Sequence, residues 1–140
     1  MGTITLEAFI RRLYLLKDGE DTENALTQAR QEGWLSAEDA YDPSAKLKRQ
    51  TAARILHEYA RIVKGLEDLK DISEAARLRD LYDCRLCVNH IAQVYLRGLM
   101  EAKEIPGISD RGFFIFDHKR EVTEEEAEGI IRRLEALPCN

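Results

Sequence analysis

An all-α fold, built as helix-loop-helix repeats within one domain over residues 1–140, is what this sequence predicts, and three observations predict it. Apolar residues recur at three-four spacing through almost the whole chain, the mark of helices with one buried face. With 140 residues and 44% hydrophobic side chains the chain is sized for one core and is short for two. Three helical segments also match one another at fixed offsets.

The first helix is expected over residues 5–16, with Ile4, Phe9, Ile10, Leu13 and Leu16 on its inner face and Thr5 as its cap. Gly19 and its acidic neighbours break the period. A short helix through Ala25, Leu26 and Ala29 then ends at Gly33, with Trp34 directly behind it. Ser36 to Pro43 reads as a loop, and Leu47 to Val63 as a longer helix with Ala52, Ala53, Ile55, Leu56 and Ile62 inward. From Ser73 to Met100 the stripe Leu78, Leu81, Cys84, Cys87, Ile91, Val94 and Gly98 predicts the longest helical region. The stretch from Ile105-Pro106-Gly107 to Phe113-Phe114-Ile115-Phe116 favours a loop or a short extended piece. Thr123-Glu124-Glu125-Glu126 is a capping box, in which Glu126 is expected to reach back to the cap, and it opens a last helix running to about Leu137.

Ile4-Thr5-Leu6-Glu7-Ala8, Leu47-Lys48-Arg49-Gln50-Thr51 and Val122-Thr123-Glu124-Glu125-Glu126 superpose at offsets of 43 and 75 residues. The same offsets align Leu13, Leu56 and Ile131, then Leu16, Tyr59 and Leu134, so one shared inner face is expected. Tyr41-Asp42 and Phe116-Asp117 stand six residues ahead of the second and third copies. Further upstream, Asn24 to Ala29 ending at Gly33-Trp34-Leu35 corresponds to Asn89 to Val94 ending at Gly98-Leu99-Met100. The chain then divides into a half repeat, 1–17, and two repeats, 20–66 and 71–138.

This unit resembles the S-layer homology repeat, in which a helix ends in glycine and two apolar residues, F-x-P follows, and I-T-R-A-E opens a second helix. Tyr41-Asp42-Pro43 stands for F-x-P and Leu47-Lys48-Arg49-Gln50-Thr51 for the signature, with its arginine kept. The other two copies carry Leu6 and Glu124 at the arginine position, and the loop from Gly98 to Phe116 is ten residues longer than that from Gly33 to Tyr41. The resemblance implies a pseudo-threefold helical body that binds bacterial secondary cell-wall polysaccharide, often pyruvylated, in grooves between its prongs. It implies ligand-binding roles for Arg49, Trp34, Asp42 and Gln50. A guanidinium fork in the first turn of a helix suits a carboxylate, while Trp34 is either a sugar-stacking face or a plug in the core. An Arg49 of this kind is exposed, and its removal is expected to leave stability nearly unchanged.

The charge of −5, with 21 basic residues scattered among 26 acidic ones, argues against nucleic acid as partner. No apolar run is long enough to insert into a membrane, and the N-terminus lacks a signal-peptide pattern. A cell-surface location is therefore expected if the chain belongs to a longer secreted protein, and a cytoplasmic one otherwise. Cys84, Cys87 and Cys139 are expected to be reduced, and Cys84-x-x-Cys87-x-x-His90 fans out on a continuous helix instead of converging on a metal. His57, His90 and His118 share no evident partner, no catalytic motif is present, and no cofactor is expected. The alternative to glycan binding is a protein-interaction module, completed where its first unit is incomplete by a second copy of the chain.

Overall fold

The computed structural model describes residues 2–36, 42, 44–104 and 114–139. Tyr41 and Pro43 of the F-x-P match, and Ile105 to Phe113 of the long loop, lie outside the described residues. The architecture is mostly helical: α1 (Leu6–Asp18), α2 (Ala25–Glu32), α3 (Arg49–Ile62), α4 (Val88–Leu96) and α5 (Glu124–Ala136). Two two-residue strands, β1 (Lys103–Glu104) and β2 (Phe114–Ile115), pair antiparallel with Lys103 opposite Ile115. No described helix is long and apolar enough to cross a membrane.

Local chemistry sets most of these boundaries. Thr5 and Thr123 accept from the amides of Ala8 and Glu126, at 3.2 and 3.0 Å, and so satisfy donors that a helix start leaves free. Gly19 and Gly33 stop α1 and α2 in the left-handed conformation, at φ 74° and 90°. Gly33 is also crowded, because a methyl there would stand 3.2 Å from Ile62 Cδ1. Gly33→Ala is expected to cost about 1–2 kcal/mol from backbone strain alone, read as a lower urea midpoint at an unchanged m-value.

The extended residues ahead of α1, α3 and α5 are tied into a ring. Ile4 N–H donates to Val122 C=O at 3.0 Å, Val122 N–H to Leu47 C=O at 2.7 Å, and Leu47 N–H to Ile4 C=O at 3.0 Å. Two residues on, the amides of Leu6, Arg49 and Glu124 donate to the carbonyls of Ala45, Arg120 and Gly2 at 3.0, 2.9 and 3.1 Å. Buried backbone donors need partners, and here the three helix starts supply one another's. Beneath the ring lies one core, with Phe9, Leu13, Trp34, Leu56, Ile91, Ile130 and Leu134 buried and Ile131 half-buried against them. In this core α1 packs on α2 and α5, and α3 packs on α4.

The predicted long helix from Ser73 to Met100 is not formed. Three 3₁₀ turns, Ser73–Arg77, Leu81–Asp83 and Arg85–Cys87, precede the nine-residue α4. The stripe Ala75, Leu78, Leu81, Cys84, Cys87 is spaced by three throughout, which is the period of a 3₁₀ helix and not of an α-helix. Asp80 holds the chain in this form by accepting from the amides of Phe116 and Asp117 at 2.9 and 2.7 Å, while Arg79 N–H donates to Phe114 C=O. The expectation of reduced cysteines is also corrected for two of the three. Cys84 and Cys87 form a disulfide, since the turn brings their Cα atoms to 5.2 Å, within bridging range. Cys139 is free and exposed.

Candidate functional site

A cleft of about 540 Å³ lies where the start of α3 meets β1, β2 and α5. Arg49 forms part of its wall, with Lys103, Arg120 and Arg133 as the other cations and Glu101, Asp117, Glu125 and Glu126 as the acids. Arg49 is not the exposed charge expected from its position, for only 2% of it is accessible. Its Nε donates to Phe116 C=O at 2.8 Å, its Nη2 to Glu101 C=O, and its Nη1 pairs with the Glu126 carboxylate. The guanidinium lies 4.5 Å from the centre of the Phe116 ring. Burial, with the charge of Arg120 second, draws its pKa down to about 10, which leaves it cationic at neutral pH.

These contacts revise two expectations. Glu126 does not reach back to its own cap; its carboxylate joins Arg49 and, at 3.5 Å, Arg120. Nor does the start of α3 offer open amides to a ligand, because Arg49 N–H and Gln50 N–H already donate to the carbonyls of Arg120 and His118. Any anion in this cleft would meet side-chain cations, of which Arg120 is half-exposed and Lys103 exposed.

The other candidate residues lie outside the cleft wall. Trp34 is 1% exposed, stacked on Tyr14 with ring centres 4.5 Å apart and meeting Tyr59 edge-on at 5.0 Å, so no ring face remains for a sugar. Gln50 is half-buried and bonded to His118 Nδ1 at 2.8 Å. Asp42 is exposed and accepts from the amide and hydroxyl of Ser44 in a local turn.

A second cluster, unforeseen in the sequence, spans α3 and α4. His57 and His90 face each other with their Nδ1 atoms 2.7 Å apart, and His57 Nε2 lies 2.6 Å from an oxygen of Asp68. Asn89 donates to the other Asp68 oxygen at 3.0 Å, and the bonds from His57 and Asn89 hold Asp68 below the ordinary carboxylate pKa although burial pushes it up. Glu58 completes a group with the two imidazoles whose ligand atoms all lie within 4.8 Å of one another. Their sequence separation of 33 residues hid this pairing.

Compared with protein-family models, curated proteins and solved structures, the chain matches none.

Proposed function

We propose that this chain is an S-layer-homology-like, pseudo-threefold helical domain that binds an acidic cell-wall polysaccharide noncovalently in the Arg49 cleft. The observation that carries the reading is the cleft itself, an open site of about 540 Å³ whose wall alternates guanidinium, ammonium and carboxylate groups at the one signature position that keeps arginine. Such a wall suits a saccharide with a carboxylate substituent: Lys103, Arg120 and Arg133 meet the anion, and the acids accept from hydroxyls. The pseudo-threefold arrangement is supported by the hydrogen-bond ring, whose donors Ile4, Leu47 and Val122 are related by the offsets of the sequence repeat.

Arg49 itself is a poor probe, since its loss disturbs the fold. Lys103→Gln with Arg120→Gln removes the exposed cations of the rim. Arg120 gives up its exposed pair with Asp117 and a 3.5 Å contact with Glu126, whose carboxylate Arg49 still holds, and such exposed pairs contribute about 0–1 kcal/mol each to folding. The double variant should keep its melting temperature within a few degrees. Its retention by purified pyruvylated wall polysaccharide should fall about tenfold or more, because each factor of ten is about 1.4 kcal/mol and two charge-assisted contacts exceed that. Equal retention of the variant, or none by the unmodified chain, rejects the reading.

One observation favours an interaction module instead. A second cleft, between α1 and α5, is lined by Leu15, Leu16 and Ile131 with Arg12 and Glu135 at its edges, and Leu15 is 52% exposed. Light scattering that finds a dimer, lost on Leu15→Glu, would support self-association through this face.

A further inference from the structure

His57, on α3, is 6% exposed and has both ring nitrogens engaged. Asp68 can accept only from Nε2–H, so in the neutral form of the ring Nδ1 is the nitrogen that carries the lone pair. That lone pair points at Nδ1 of His90, and the Glu58 carboxylate lies beside both. Arg61 donates to Glu58 Oε2 at 2.7 Å and so orients the carboxylate.

From this geometry we infer that His57 Nδ1, His90 Nδ1 and the Glu58 carboxylate form a binding site for a divalent transition-metal ion of the zinc type. Two imidazoles and one carboxylate are the donor set such ions take when a fourth position is left for water or another ligand. Asp68 occupies the outer position that orients a metal-binding imidazole, and Asn89 in turn fixes Asp68. Glu58 and His90 are half-buried, so the ion has a path from solvent. On a tetrahedral ion with bonds near 2.0 Å the two nitrogens would stand about 3.3 Å apart, so the rings part by about 0.6 Å from their hydrogen-bonded positions. The disulfide keeps Cys84 and Cys87 from competing as thiolate ligands, and the site is separate from the Arg49 cleft, with which it shares no residue.

The test uses the full chain carrying Cys139→Ser, without reductant, titrated with zinc by calorimetry and with cobalt by visible absorption. One-to-one binding with the cobalt bands of a four-coordinate site is expected. His90→Ala should abolish it and Glu58→Gln should weaken it severalfold. Asp68→Asn should lower affinity about 10–100-fold while keeping the stoichiometry, the effect of an orienting partner and not of a ligand. Should His90→Ala fail to fold, the unsubstituted chain still decides, because zinc must shift the ring resonances of both His57 and His90 and leave those of His118 in place. Absence of one-to-one binding, unchanged binding in Glu58→Gln and His90→Ala, or imidazole signals unmoved by zinc overturns the assignment.

Discussion

Truncating Trp34 to alanine is expected to cost about 3–5 kcal/mol, the range for deleting a large aromatic side chain from a packed core. The indole is 1% exposed and sandwiched between Tyr14 and Tyr59, directly after the glycine that ends α2. Its removal leaves a void walled by two rings that are themselves held: Tyr14 by its hydroxyl on Glu32 at 2.8 Å, and Tyr59 by its place in α3. Collapse is therefore restricted, which puts the cost toward the upper end. Against a total stability of about 5–15 kcal/mol, such a loss should leave a visible unfolded fraction in mild urea. Trp34→Phe is expected to be much milder, about 1–2 kcal/mol, because it keeps a ring in place and removes an indole N–H that has no acceptor among the described residues. Urea unfolding followed by circular dichroism orders the three proteins. A Trp34→Ala variant as stable as the parent would contradict a core role.

The second large effect belongs to Arg49. Arg49→Ala is expected to destabilise by about 3–5 kcal/mol, because it leaves the partly buried Glu126 carboxylate only its 3.5 Å contact with Arg120 and strands the carbonyls of Phe116 and Glu101. Arg49→Met with Glu126→Gln should recover much of this, since the pair is then replaced and no longer broken. The comparison of single and double variants by thermal unfolding separates a structural brace from a solvated charge. If Arg49→Ala melts with the parent, the guanidinium is a surface group after all.

What the sequence discloses here is what a few neighbouring residues decide. The caps at Thr5 and Thr123, the stops at Gly19 and Gly33, and the inner faces of α1, α3 and α5 all follow from residues within a turn or two of each other, except that Ile62, expected inward, is 41% exposed where α3 ends. The stretch from Ala75 to Cys87 was open to misreading because a stripe spaced by three fits loosely on an α-helix and fully on 3₁₀ turns. Its form is settled by Asp80 and Arg79, which bind a segment more than thirty residues later. The candidate site was legible only in part for the same reason. Arg49 stands out by its place in a motif, but its burial depends on Glu101, Phe116 and Glu126, and the His57–His90 pair depends on how α3 and α4 pack.

The central claim, that the Arg49 cleft receives an acidic wall saccharide, is tested most directly by nitrogen-15 NMR of the labelled chain titrated with a pyruvylated wall oligosaccharide. The predicted result is a saturable shift of the Arg49 Nε–H signal and of the amides of Ala102, Lys103, Asp117 and Glu126, with Trp34 Nε1–H unmoved in the core. No shift at saturating oligosaccharide, or shifts confined to residues outside this cleft, would contradict it.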